Sequence, residues 1–320
     1  MALGTLGDRR TKDRVAREIM NRKADPTGAL FQVAVLFALL LALAILVLLL
    51  QDVVRGSWPV LSERPGDFLS AELRTRADET GVFQPLRGTF WIGVFVVVLA
   101  FPIGIGAAIY LEEYATDNRF SRFVDLNIRN LAGVPSVVYG ILGFTIFVRF
   151  ADGFFPGSVG DHAGKTTAAA GVTLAVLVLP IVIITSSEAI RAVPRELRDG
   201  AFGMGATKSQ AIRSQILPYA APGILTGTLL SLTRALGEAA PLILVGAVTG
   251  KLGPNTGFLE LEQLGEKFTA LPITIANFAG RPGEDWEQVT SAAIVVLLVM
   301  VLMANAVAIL LRNRYEKKRR

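Results

Sequence analysis

The sequence predicts a single all-α integral membrane domain with six membrane-spanning helices. Of the 320 residues, 52% are apolar and only 18% are charged, whereas soluble domains carry about 25% charge. The charged residues are concentrated between long stretches that contain none. Several of these stretches have about 20 residues, the length that a helix needs to cross the hydrocarbon core of a bilayer.

The first predicted span, residues 31–50, contains no charged residue. A cleaved signal peptide has a shorter apolar region followed by a small-residue cleavage site, so we interpret this segment as a retained anchor. Each further span is expected to be helical, because the bilayer core offers no water to the backbone amides. These spans are predicted at residues 90–111, 131–148, 168–185, 222–248 and 291–311. Kinks are expected at the prolines within them, Pro102, Pro135, Pro180 and Pro241.

The distribution of basic residues predicts the orientation of the chain. Of the 32 Lys and Arg residues, 21 lie in the four segments on one side of the predicted spans and 10 in the three loops on the other, with Arg234 inside a span. By the positive-inside rule both termini face the cytoplasm. The predicted domains are a basic arm (1–30), the six-span membrane domain (31–311) and a basic tail (312–320). Contact with anionic lipid headgroups accounts for the net charge of +5 better than nucleic acid does.

The residue types exclude several kinds of catalytic site. There is no cysteine, which excludes disulfides and thiolate metal sites. The single histidine, His162, cannot form a zinc site by itself. A phosphate loop is not expected either, because Gly160 and Gly164 enclose three residues where that motif has four, and no strand precedes them. We therefore expect no catalytic site and no bound cofactor or metal in this chain.

The loop at residues 187–220 is too charged to cross the membrane and is expected on the cytoplasmic side. Its first half predicts a short helix, for which Pro194 suits the first position and Gly203 and Gly205 the end. One face of this helix would carry Leu197, Ala201 and Met204. Such a helix fits the groove of a partner protein or rests on lipid headgroups, and periodicity alone favours neither.

The second half of the loop predicts another helix. Thr207 can cap its first turn, and Gln210 three residues later completes a capping-box pattern. Pro218 is expected to stop this helix, because proline lacks a backbone donor and its ring clashes with the preceding turn.

This loop resembles the coupling motif of ABC importer permeases. That motif reads EAA, three residues, Gly, nine residues, then I-x-L-P, and this chain keeps the spacing while it differs at Asp199, Gly200 and Gln215. The resemblance implies a cytoplasmic coupling helix that docks into an ATPase subunit. The residues that it assigns to coupling are Asp199, Gly200, Ala201, Gly205, Leu217 and Pro218.

Over roughly residues 30–311 the chain is similar to the PstA-type permeases of phosphate-specific ABC importers. The stretches that carry the similarity are FPIGIGAAIYLEEYA (101–115), LAGVPSVVYGILG (131–143), TRALGEAAPLILVGA (233–247) and ALPITIANFAGRPGEDWEQ (270–288). The resemblance implies the type I (MetI-like) ABC permease fold in the bacterial cytoplasmic membrane.

The resemblance also implies the partners. They are a homologous PstC-type permease, two PstB-type ATPase subunits that use ATP and Mg²⁺, and an external PstS-type phosphate-binding protein. The outer loops at residues 51–87 and 251–288 would meet the binding protein. Membrane lipid is expected to surround the spans, and no nucleic acid is expected.

Arg234 and Glu238 lie inside the fifth predicted span, where a charge costs from about 2.5 to above 10 kcal/mol. Their spacing of four places both on one helix face. The pair is either a structural ion pair or a station for an anion, since a guanidinium offers a fork of donors to phosphate oxygens; in the similar permeases the matching residues are associated with phosphate passage. Nearby Gly223, Gly227 and Gly237 are expected to let helices approach closely.

Three other functions remain open at this point. The cargo could be another oxyanion, such as phosphonate or sulfate. The chain could also be a channel or an ion-coupled carrier that works without an ATPase. A purely structural membrane anchor is disfavoured, because an anchor gains nothing from the cost of Arg234 and Glu238.

Overall fold

The computed structural model describes residues 26–149, 164–249, 252, 257–260 and 264–317. Within these ranges the chain is helical and contains no strand. By its internal contacts the chain divides into two units, Met1–Asp52 and Val53–Arg320. The expectations for most of the N-terminal arm, for Gly160 and for His162 fall outside the described residues.

Helix α1, Pro26–Glu63, contains the first predicted span. Its apolar part leaves its side chains exposed, which suits a helix surrounded by lipid. The helix continues beyond the predicted end at residue 50. Its last turns belong to the second unit, where Val60 is buried.

The second span is longer than predicted, and the third is bent. After the short helix α2, Pro65–Ser70, helix α3 runs over Phe83–Tyr114 with π-helical turns at Val96–Ala100 and Tyr110–Tyr114. Helix α4, Arg119–Ala132, then meets helix α5, Ser136–Val148, at an angle of 103°.

Pro135 stands at the bend between α4 and α5, because a residue that precedes proline is driven out of the helical region. The prediction of one helix over residues 131–148 is therefore wrong in its first turn.

Helix α4 is capped by Asn118, whose side chain accepts a hydrogen bond from the amide of Ser121 at 2.8 Å.

Helix α6, Thr167–Arg191, is the most buried of the candidate spans. Thr166 begins it by accepting a hydrogen bond from the amide of Ala169 at 3.2 Å. Its apolar side chains form a central cluster with those of α3, α5 and helices that follow later in the chain, which includes Ile92, Val96, Leu174, Val178 and Leu242. This packing makes α6 the scaffold for the helices around it.

The chain after α6 forms a short helix and then a long one. Helix α7 covers Arg195–Gly203, and helix α8 covers Lys208–Gly237 with a π-helical turn at Ile212–Ile216. A second apolar cluster, here the loop cluster, joins the ends of α3 and α6 to the start of α8. It consists of Ala108, Ile190, Val193, Ile212, Ile216, Ala220 and Ile224.

Three helices complete the described chain: α9, Ala240–Val245; α10, Leu271–Ala279; and α11, Glu284–Lys317. A third cluster lies where α10 and α11 meet the residues around α2, and it includes Phe68, Leu73, Leu271, Phe278 and Val289. By length and composition five helices in the described ranges can cross a membrane, and six can if α4 and α5 count as one bent span.

Candidate transport pathway and coupling segment

Arg234 and Glu238 lie where helix α8 ends. Arg234 is in the last turn, and Glu238 follows Gly237 with φ −79° and ψ 124°, so its backbone is extended. The fifth predicted span, residues 222–248, is therefore two helices, α8 and α9, with a break between them. Gly237 and the Pro241 of α9 are the sequence signals for this break.

The ion pair between the two side chains is present despite the break. Arg234 Nε lies 3.5 Å from Glu238 Oε1, and the side chains are 50% and 18% exposed respectively. The prediction that the two residues pair is confirmed, but Glu238 does not share the helix face of Arg234. A guanidinium has five N–H donors, so the group can also bind an anion beside Glu238.

The neighbours of Arg234 hold its turn of helix in place. Thr233 donates a hydrogen bond to Asn305 Oδ1 of α11 at 3.0 Å, and Ala235 and Leu236 are buried. A polar contact between spans fixes their rotation, because a polar group facing hydrocarbon would stay unsatisfied. The backbone that carries Arg234 is therefore held by the contact of Thr233 with α11 and by the burial of Ala235 and Leu236.

Close packing of glycines sets how α8 and α9 meet their neighbours. A side chain at Gly227 would overlap Thr185 of α6, and a Cβ at Gly223 would lie 2.8 Å from the Cβ of Ala189. The predicted close approach is thus confirmed for these two glycines, whereas Gly237 has no such neighbour. Gly140 of α5 plays the same part against α9, since a Cβ there would lie 2.7 Å from the Cα of Pro241.

The loop predicted at residues 187–220, here called the coupling segment, folds much as its prolines and glycines predict. Pro194 is the N-cap of α7 rather than its first helical residue, so the helix begins one residue later than expected. The helix ends at Gly203, and Gly205 adopts φ +80°, a left-handed conformation that favours glycine. Asp199, Gly200 and Gly205 are exposed.

The predicted apolar face of α7 turns inward rather than outward. Ala201 is buried, and Leu197 packs against the loop cluster. Met204, expected on the same face, lies at the C-cap and is 88% exposed. The apolar surface that a partner can reach is thus Met204 with Phe202, which the sequence interpretation did not single out. Their position between glycines was the available signal.

The capping box at the start of α8 is confirmed. Thr207 accepts a hydrogen bond from the amide of Gln210 at 3.4 Å, and the Gln210 side chain accepts one from the amide of Thr207 at 2.8 Å. Gln215 is exposed while the adjacent Ile216 is buried. The usual aliphatic position of the coupling motif is thus shifted here by one residue.

The prediction that Pro218 stops this helix is wrong. The helix continues through Leu217 and Pro218 to Gly237. A π-helical turn, Ile212–Ile216, directly precedes Leu217. Its i→i+5 hydrogen bonding departs from the i→i+4 pattern that the ring and the missing N–H of proline disrupt, so Pro218 can be accommodated there. The coupling segment is therefore continuous with the helix that carries Arg234.

Among the residues that the structure describes, no group of three or more His, Cys, Asp or Glu side chains is placed to hold a metal ion.

Comparison with known proteins places the chain in a family. Residues 100–320 match the family described as binding-protein-dependent transport system inner membrane component. Phosphate transport system permease protein PstA 1 of Mycobacterium tuberculosis is 31% identical over 75% of this chain and 72% of its own length. PstC of Mesorhizobium japonicum is 28% identical over 92% and 93% respectively.

Two solved structures share the fold at low sequence identity. A bacterial ABC transporter for import of the acidic polysaccharide alginate has a TM-score of 0.55 and 16% identity, covering 93% of this chain and 98% of its own. An inward-facing MetNI methionine ABC transporter has a TM-score of 0.51 and 19% identity, covering 73% and 94% respectively. The fold is that of ABC importer permeases, and the chain belongs to the family of binding-protein-dependent transport system inner membrane components.

Proposed function

We propose that this chain is a transmembrane permease subunit of an ATP-driven importer of inorganic phosphate and forms half of its translocation pathway. The observation that carries the proposal is Arg234, a half-exposed guanidinium at the break of a membrane helix, paired with Glu238. Non-helical backbone at membrane depth is tolerated where it is buried in protein or lines a water-filled cavity. The names of the relatives, phosphate transport permeases, support an oxyanion as the cargo.

The chemistry of the pair suits an anion that must be bound and then released. The guanidinium of Arg234 matches the oxygens of phosphate with a planar fork of donors. The carboxylate of Glu238 limits how tightly the anion is held, and it can accept a hydrogen bond from a protonated phosphate oxygen. Strong binding without this counter-charge would slow release.

The energy comes from other subunits in this proposal. Two PstB-type ATPases hydrolyse ATP with Mg²⁺, a PstC-type permease forms the other half of the pathway, and a PstS-type protein delivers phosphate from outside. An ATPase contacts the exposed Asp199, Gly200 and Gly205 together with Phe202 and Met204. The buried Ala201 and the partly buried Leu217 support that surface from within.

The location of the chain follows from the same proposal. It spans the bacterial cytoplasmic membrane with both termini and the coupling segment in the cytoplasm. ATP is then available on the side where α7 lies.

Phosphate uptake by an Arg234→Ala variant tests the pathway. In an importer that still assembles and hydrolyses ATP, we expect uptake to fall roughly tenfold or more, since a lost contact of about 1.4 kcal/mol gives a factor of ten. Arg234→Lys should retain part of the uptake, because it keeps the charge but not the fork. Arg119→Ala, which changes an exposed arginine of α4, is the matched control. Normal uptake by Arg234→Ala would remove Arg234 from the pathway.

Competition identifies the cargo. Unlabelled phosphate should abolish uptake of labelled phosphate, whereas equal concentrations of sulfate or a phosphonate should leave most of it. Stronger competition by either of these anions would assign the importer to that oxyanion instead.

A further inference from the structure

Three consecutive residues at the end of α3 contact three cationic residues of the coupling segment. Glu112, Glu113 and Tyr114 lie in the π-helical turn Tyr110–Tyr114. Their partners, Arg191, Arg198 and Lys208, stand at the end of α6, in α7 and at the start of α8 respectively. We call these three pairs the clasp.

The contacts of the clasp are short. Arg191 Nε donates to Glu112 Oε2 at 2.8 Å, and Arg198 Nη2 lies 3.1 Å from Glu113 Oε1. The Nζ of Lys208 lies 5.1 Å from the ring centroid of Tyr114, within the range of a cation–π contact. Arg198 Nη2 also donates to the carbonyl of Ile190 at 2.7 Å, so one guanidinium ties α7 to both α3 and α6.

Burial distinguishes the Arg198–Glu113 pair of the clasp from an ordinary surface ion pair, whereas Arg191 and Lys208 are more exposed. The Glu113 side chain is 8% exposed and that of Arg198 is 25% exposed. Exposed pairs contribute little, whereas a buried charge that loses its partner is strongly unfavourable. The apolar loop cluster continues the contact, with Ala108 of α3 packed among Ile190, Ile212 and Ile216.

The covalent connections of α7 explain why the clasp is needed. The chain itself joins α7 to α6 and α8, so a displacement of α7 reaches those helices directly. Helix α3 has no such connection to α7. The clasp and the loop cluster supply the connection through side chains.

We propose that the clasp locks the end of α3 to the coupling segment, so that α3 moves with α7 through the transport cycle. The inference rests on the proposed coupling of this chain to an ATPase. It assigns Glu112, Glu113 and Tyr114 as positioning residues and Arg191, Arg198 and Lys208 as their partners.

Charge reversal in the assembled importer tests the lock. We expect Glu113→Arg and Arg198→Glu each to lower the solute imported per ATP hydrolysed at least tenfold, because two like charges then face each other and α3 separates from α7. The double variant Glu113→Arg/Arg198→Glu should return to within threefold of the native ratio. A purely structural pair would change the amount of assembled importer but leave this ratio unchanged.

The exposed pair Arg122–Asp117 is the control, since it has the same 2.8 Å distance as the Arg191–Glu112 pair but joins neighbouring residues at the start of α4. Asp117→Arg should keep the ratio within twofold. An unchanged ratio in the single clasp variants, or no recovery in an assembled double variant, would overturn the proposal.

Cross-linking tests the lock without reference to the solute. The chain contains no cysteine, so Tyr114→Cys with Lys208→Cys can be joined by a short bifunctional maleimide. If the clasp stays closed, linking should change the ATP hydrolysis of this variant by less than twofold. Loss of hydrolysis on linking would mean that the clasp opens during the cycle, which contradicts the proposal. Failure of phosphate uptake by the native importer would overturn only the proposed function, because this assay follows ATP alone.

Discussion

The contacts of Arg234 determine how its charge is compensated inside a membrane helix. A charge near the bilayer centre is costly, and an Arg followed by Glu four residues later is the weaker order on a helix. The structure changes the geometry of this pair, because Glu238 leaves the helix and still places its carboxylate 3.5 Å from Nε. The residue spacing predicted the pair, but on one face of a continuous helix rather than across the break at Glu238.

Glu238 should set how long an anion stays at Arg234. Glu238→Gln keeps the size and a hydrogen-bonding group but removes the competing charge. We expect the KM for phosphate uptake to fall severalfold and the maximal rate to fall with it, because a more tightly held anion leaves more slowly. Initial rates over a range of phosphate concentrations measure both quantities. A higher KM would show that Glu238 helps to bind the anion instead.

Two glycines of α3 separate packing from helix propensity. A Cβ at Gly104 would lie 2.6 Å from Val182 Cγ1, whereas a Cβ at Gly106 would meet nothing within 4 Å. Gly104→Ala should destabilise the purified subunit by about 1–3 kcal/mol, as overpacking does. Gly106→Ala should stabilise it by up to about 1 kcal/mol through helix propensity. Thermal unfolding in detergent compares the stabilities of the two variants. Equal shifts of the melting temperature would contradict the packing of α3 on α6.

At the scale of elements, the apolar spans were predictable and kinks were expected at Pro135 and Pro241, but the sequence did not show that the helices end completely near these prolines. Residues 222–248 read as one apolar stretch, yet the chain forms α8 and α9. Hydropathy registers composition and does not show the break, nor the close packing of Gly140 of α5 against Pro241 beside it. Similarly, the inward direction of Leu197 depends on the loop cluster, which is made from distant parts of the chain.

Alanine should be tolerated at Gly200, inside α7, but not at Gly205, in the turn that follows α7. Gly200 is helical and Gly205 has φ +80°, and neither has an atom within 4 Å of an added Cβ. Gly205→Ala should therefore cost about 1–2 kcal/mol through backbone strain alone, and we expect weaker retention of the ATPase. Gly200→Ala restores the alanine of the coupling motif and should retain the ATPase fully. Co-purification in mild detergent measures the retained ATPase. Equal retention by the two variants would show that the left-handed conformation of Gly205 is not needed for this contact.

For the whole molecule, composition and charge distribution were sufficient to predict the class and the approximate spans. Apolar stretches of about 20 residues can hardly be anything but membrane helices, because the backbone must be satisfied within the segment. The relative placement of α3, α6, α7 and α8 was beyond the sequence. It depends on ion pairs and apolar contacts between residues far apart in the chain, such as Glu112 with Arg191.

The orientation of the whole chain can be tested with single cysteines, since the natural sequence has none. Met204 in the coupling segment and Thr75 in the predicted first outer loop are both exposed. An impermeant maleimide added to intact cells, with the outer membrane opened where there is one, should label Thr75→Cys and not Met204→Cys. Permeabilised cells should label both. The reverse pattern in intact cells would place the termini outside.

In the proposed function, the energy for transport enters at the coupling segment. The coupling segment includes the start of α8, whose far end carries Arg234, so in the proposed function a movement of α7 reaches Arg234 through α8. Without that movement the break at Glu238 should stay in a single arrangement, because packed cores change between discrete states rather than continuously. The purified subunit alone in liposomes should thus give no phosphate flux above empty liposomes. Addition of the ATPase, the second permease, the binding protein and ATP should start uptake. Sustained flux through the subunit alone would indicate a channel or carrier that needs no ATPase.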